Sequence, residues 1–121
     1  MTKSPITKHG FDLEERTLLF AKGVIRLCKS VRQDTISREL ISQLIRASSS
    51  VGANYREAND ALSKKDFGHR IRITRREAKE THYWLQLLEE AVPPADGEIT
   101  KLLREAMELK KIFSVIVEKA A

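Results

Sequence analysis

Residues 48–60 read SSSVGANYREAND, and they lie inside a segment that otherwise has the rhythm of one long helix. Ile41, Leu44, Ser48, Val51, Tyr55, Ala58 and Leu62 alternate steps of three and four, which places them on one helical face. Within that rhythm stand three serines, a glycine and an asparagine. Gly52 alone costs about 1 kcal/mol in a helix relative to Ala. Close approach of another helix offsets such a cost, because small side chains let two backbones come near. Leu44, Val51 and Ala58 face a core, while Ser49, Gly52 and Asn54 point to other sectors. A helix with apolar or small residues around much of its circumference needs more than one partner. The segment is therefore expected to pack within a bundle on one side and in a subunit interface on another. Ser50, Gly52, Asn54 and Glu57 are candidate interface or structural residues. Asn54 and Glu57, three apart, are candidates for hydrogen bonds across helices.

Working outward, three more helical segments appear. The first runs from about Asp12 to Ser30, with Leu13, Phe20, Val24, Leu27 and Val31 at helical spacing. Leu18, Ala21, Ile25 and Cys28 lie beside that stripe. Asp34 or Thr35 then caps the second segment, about Ile36 to Leu62. Ser63-Lys-Lys-Asp66 resembles a capping box with Asp in place of Glu, and it opens a third segment from about Lys64 to Ala91. Phe67, Ile71, Thr74, Ala78, Thr81, Leu85 and Leu88 form its apolar stripe. Pro93 and Pro94 end it. Asp96 or Gly97 opens the fourth segment, which carries Ile99, Leu102, Ala106, Leu109, Phe113, Ile116 and Ala120. Four amphipathic helices with short connections predict an all-α, antiparallel up-down-up-down four-helix bundle over residues 11–121. Residues 1–10, including His9, read as a flexible tail with no apolar core of a signal peptide.

Composition narrows the function. The 121 residues are 32% charged and 41% hydrophobic, enough for one globular domain. No apolar run approaches the roughly 20 residues that span a bilayer, so no membrane partner is expected. Cys28 is the single cysteine, which excludes an intrachain disulfide and fits a reducing, cytoplasmic setting. At an apolar helical position it reads as a small buried hydrophobe.

The net charge is +5, and its placement is uneven. Residues 64–79 hold Lys64, Lys65, Arg70, Arg72, Arg75, Arg76 and Lys79 against Asp66 and Glu77. That excess of five equals the whole net charge; the remainder of the chain balances. Lys65, His69, Arg72, Arg76 and Lys79 step by four, three, four and three, so they line one face opposite the apolar stripe. Clustered Lys/Arg bind phosphate backbones with strongly salt-dependent affinity. The bland reading of the same stripe is a solvated face that keeps the protein soluble. The stripe lacks aromatic interleaving, and no helix-turn-helix is visible, so binding would be directed to the backbone rather than the bases.

A second stripe on the third segment, Ile73, Glu77, Glu80, Trp84 and Leu87, sets glutamates between large apolar residues. A glutamate buried there needs a donor. Trp84 continues this stripe and is the expected interior or interface anchor, whereas Tyr83 diverges from it by about 100° and is expected at the subunit interface or the bundle edge.

At this point residues 50–91 closely resemble the small bacterial four-helix bundle family known as 23S ribosomal RNA intervening-sequence proteins. The resemblance rests on Ser50-Val-Gly-Ala-Asn54, Glu57-Ala58, Ser63-Lys-Lys-Asp-Phe67, and Glu77-Ala-Lys-Glu80-Thr followed by Tyr83-Trp84-Leu85. It covers about a third of the chain. It implies an antiparallel four-helix bundle, similar to the accessory protein of diversity-generating retroelements, assembling as a homopentameric barrel with a basic surface. The retroelement relatives bind nucleic acid and a reverse transcriptase. No enzymatic activity is established for the family. Arg75-Arg76 stands where relatives often have a less basic pair, which enlarges the positive patch.

Catalytic alternatives lack residues. Ferritin-like bundles use Glu-x-x-His pairs, but the residues three before His69 and His82 are Asp66 and Lys79. No Gly-rich phosphate loop or nucleophile elbow is evident. The expectation is a non-enzymatic protein without metal or cofactor. It presents its basic face to RNA or DNA, or serves as an oligomeric scaffold docking an acidic or polymerase-like partner.

Overall fold

The computed structural model describes residues 12–92 and 97–120. The expected tail at residues 1–10, with His9, and the expected helix-terminating Pro93, Pro94 and Asp96 lie outside the described residues. Four helices account for nearly all the rest: α1 Leu13–Ser30, α2 Thr35–Asn59, α3 Lys64–Ala91 and α4 Glu98–Ala120. No strand occurs among the described residues.

Each of the first three helices begins where a short polar side chain can satisfy free backbone N–H groups. Asp12 Oδ1 accepts from Glu14 N at 3.1 Å and Glu15 N at 3.3 Å. Asp34 and Ser37 form a reciprocal box: Ser37 N donates to Asp34 Oδ1 at 2.8 Å, and Asp34 N donates to Ser37 Oγ at 2.9 Å. The backbone N–H of Ser37, then its hydroxyl, hold the Asp34 carboxyl below its usual range. At Ser63 only half of the expected box forms. Ser63 Oγ accepts from Asp66 N at 3.0 Å, while the Asp66 carboxylate turns to Arg70 Nε at 3.9 Å. Gly97 precedes α4 at φ +95°, a conformation that favours glycine, and its carbonyl accepts from Lys101 N at 3.1 Å.

The expected end of the second helix is corrected. The ladder stops at Asn59, not Leu62, and Leu62 is 99% exposed rather than on the core face. Asp60 N and Ala61 N bond back only three residues, to Glu57 O and Ala58 O. That tightening breaks the 3.6-residue register before Leu62.

The core draws on all four helices. Val24, Leu44, Val51, Ile71, Leu85, Leu88, Leu109 and Phe113 are fully buried. Each such side chain contributes about 1.5–3 kcal/mol through removal from water. Tyr55 stacks obliquely on Phe113 with centroids 5.7 Å apart. The α2–α3 interface is the most extensive, followed by α3–α4 and then α1–α2. The smaller α1–α4 contact is tied by Arg16, which forks onto Glu105 with Nε–Oε2 2.7 Å and Nη2–Oε1 2.9 Å. That hydrogen-bonded pairing raises the Arg16 pKa. Asn59 Nδ2 reaches Glu14 Oε2 at 2.9 Å, joining α2 to α1. Leu18 and Ile25, beside the α1 stripe, stay exposed, as does Leu19.

Candidate nucleic-acid interface

The helix α3 carries both the basic stripe and the acidic-aromatic stripe, and its register separates them. Ile71, Thr74, Ala78, Thr81, Leu85 and Leu88 are buried. The threonines stay helical while buried by donating their hydroxyls backwards: Thr74 Oγ1 to Arg70 O at 2.9 Å, and Thr81 Oγ1 to Glu77 O at 2.7 Å. With that face fixed inward, Lys65, His69, Arg72, Arg76 and Lys79 all emerge exposed. Lys64 is exposed too, and Arg70 and Arg75 are half-buried. Arg70 leans on Asp66; among the described residues no other acidic group comes within 4 Å of the seven basic side chains.

The second stripe contains a partner that sequence reading missed. Glu77 is only 8% exposed, and the cation facing it is Arg46 of α2. Arg46 Nη1 lies 3.6 Å from Glu77 Oε1, and Nη2 donates to Glu80 Oε1 at 3.1 Å. Gln43 Oε1 accepts from Arg46 Nε at 3.3 Å. One guanidinium therefore bridges both glutamates across the α2–α3 interface. The available signal was the spacing Gln43–Arg46–Ser50, a polar stripe on α2 matching the one on α3. Glu77 Oε1 makes no hydrogen bond among the described residues, and neither does the buried Trp84 Nε1.

The small-residue stretch resolves into local bonds and one close contact. Ser48 Oγ and Ser49 Oγ donate to Ile45 O at 3.3 and 2.8 Å, and Ser50 Oγ donates to Arg46 O at 2.8 Å. Asn54 Nδ2 donates to Ser50 O at 2.9 Å, within its own helix rather than across helices. Glu57 is exposed. The close approach expected at Gly52 is made inside the chain: a Cβ there would meet Thr17 Oγ1 of α1 at 3.0 Å. Trp84 packs against the core, while Tyr83 remains 54% exposed.

Two shallow grooves between α3 and α4 flank the basic stripe. One, of about 210 Å³, is lined by Lys79, His82, Tyr83, Gln86, Met107 and Lys110. The other, of about 280 Å³, is lined by Lys64, Phe67, Ile116 and Lys119. Among the described residues no group of three or more His, Cys, Asp or Glu is placed to hold a metal, and no helix is long and apolar enough to cross a membrane.

With this geometry in place, comparison decides the kinship. Residues 11–115 match the family described as 23S rRNA-intervening sequence protein.

The chain belongs to the 23S rRNA-intervening sequence protein family.

The kinship extends to three dimensions. A Bacteroides thetaiotaomicron protein of unknown function from the S23 ribosomal protein family, known from its crystal structure, is 29% identical. The match covers 86% of this chain and 96% of that one, with a TM-score of 0.75. No curated protein matches. The 23S rRNA-intervening sequence protein fold thus extends over α1 and α4 as well as the α2–α3 segment that carries the sequence resemblance.

Proposed function

We propose that this member of the 23S rRNA-intervening sequence protein family is a non-enzymatic, cytoplasmic protein that associates with RNA or DNA through the exposed face of α3. The observation that carries the reading is the joint placement of charge and exposure. The segment 64–79 holds an excess equal to the chain's net charge of +5, and Lys64, Lys65, Arg72, Arg76 and Lys79 are all exposed on it. Such a surface neutralises phosphates whatever their sequence, so the bound feature is the backbone.

The assembly proposed with it is an antiparallel up-down-up-down bundle that forms a homo-oligomeric barrel, a homopentamer by family resemblance. Contacts such as Glu14–Asn59 and Arg16–Glu105 support that helix order. A ring of copies would multiply the field of each basic face. An oligomeric scaffold whose basic face docks an acidic or polymerase-like partner is the second reading, and the same exposed cations of α3 support it.

The test is binding of nuclease-treated protein to labelled structured RNA and duplex DNA, alongside the Arg72→Glu, Arg75→Glu, Arg76→Glu triple variant. Salt-sensitive binding that the triple variant abolishes supports the reading. Equal binding by the triple variant, or none by the wild type at low salt, overturns it.

A further inference from the structure

The basic stripe ends in a groove that has something the stripe lacks. Lys79, its last member, also lines the 210 Å³ groove between α3 and α4, together with His82, Tyr83 and Lys110. Tyr83 presents 54% of its surface to solvent. It is four residues beyond Lys79, so the two are neighbours on the helix surface. The Trp84 ring meets Tyr83 edge-on, with centroids 5.5 Å apart and planes at 67°. That T-shaped contact holds the phenol against the bundle and leaves no parallel stack on it. The groove is smaller than the about 300–1,000 Å³ of pockets that enclose a whole small ligand, so it suits one flat group of a longer chain.

We infer that this groove is a subsite for an unpaired nucleotide: its base stacks on Tyr83, while Lys79 and Lys110 hold the adjoining phosphates. The inference rests on the proposed phosphate-binding role of α3 and adds to it a preference for nucleic acid with single-stranded character. A base inside a duplex has no free face to offer, whereas an unpaired base stacks on an aromatic ring with little regard to its identity. An acidic peptide would satisfy the lysines but leave the exposed ring unused. The second groove, at Lys64 and Lys119, does not repeat the arrangement, because Phe67 is packed against the core.

The experiment compares a labelled oligodeoxythymidylate with a duplex DNA of equal length, using wild type, Tyr83→Ala, Tyr83→Phe and the triple-glutamate variant of α3. Trp84 is the single tryptophan and its ring touches Tyr83, so its fluorescence reports a change at that neighbouring ring. The expected result is a loss of single-strand affinity on the order of tenfold in Tyr83→Ala, retention in Tyr83→Phe, and unchanged duplex affinity in both. The single strand, and not the duplex, should quench Trp84. If Tyr83→Ala binds the single strand as the wild type does, or loses both ligands equally, the subsite is overturned. The role of α3 then still stands provided the triple variant is silent. If oligoglutamate displaces the single strand and its own binding falls in Tyr83→Ala, the groove takes an acidic chain and the inference fails. Failure of the wild type to bind either DNA overturns the subsite and the phosphate-binding reading together.

Discussion

Gly52 of α2 lies so close to Thr17 of α1 that a Cβ on Gly52 would stand 3.0 Å from Thr17 Oγ1. Thr17 cannot easily retreat. It is fully buried, and its hydroxyl donates to Leu13 O at 2.7 Å and Glu14 O at 3.1 Å. Gly52→Leu is therefore expected to overpack the α1–α2 contact and cost about 1–3 kcal/mol. Thermal denaturation should show a lower Tm. Gly52→Ala should be much milder, because helix propensity returns about 1 kcal/mol against a smaller clash. A Gly52→Leu variant with wild-type Tm would remove the close contact from the account.

Arg46 is the cation between Glu77 and Glu80. Arg46→Met leaves the Glu77 carboxylate buried without it. Breaking a fully buried pair costs about 3–5 kcal/mol, but Arg46 is half exposed, so about 1–2 kcal/mol is expected here. Glu77→Gln in the Arg46→Met background should recover much of the loss in urea denaturation. Additive losses would mean the two side chains do not interact.

Cys28 is 4% exposed, and burial pushes its thiol pKa up to about 11. The unfolded chain ionises this thiol first, near 9.0, so the fold loses stability as pH rises from there toward about 11. Burial shifts Tyr55 in the same direction. Two measurements follow. A thiol reagent at neutral pH should label Cys28 slowly in the native state and fast in denaturant. Cys28→Ala should show a shallower alkaline loss of stability than wild type. Fast native labelling would contradict the burial.

Much of this fold is written locally. Asp12, Asp34 and Ser63 announce helix starts because each satisfies backbone groups two or three residues away, a relation visible along the chain. The end of α2 was not legible. Leu62 keeps the three-four rhythm, and periodicity cannot register that the ladder has already tightened at Asp60. The exposure of Lys65, Arg72, Arg76 and Lys79 follows directly from the buried stripe of Ile71, Thr74 and Ala78 on the same helix.

Features made between helices were harder to read. The need of Glu77 for a donor was visible, but the identity of Arg46 depends on how α2 and α3 align. The small residues at 48–54 signalled close approach without naming its partner, which is Thr17 within the same chain. The groove beside Tyr83 takes its shape from α4 residues Met107 and Lys110, which carry no motif of their own.

The central claim is that the α3 face binds nucleic-acid backbone through its cations, and the slope of log affinity against log salt tests it most directly. On duplex DNA each phosphate neutralised contributes about −0.9 to that slope. The account predicts a steep wild-type slope that flattens by about three when Arg72, Arg75 and Arg76 are changed together to alanine. A slope unchanged by those substitutions would place any binding elsewhere on the molecule and contradict the account.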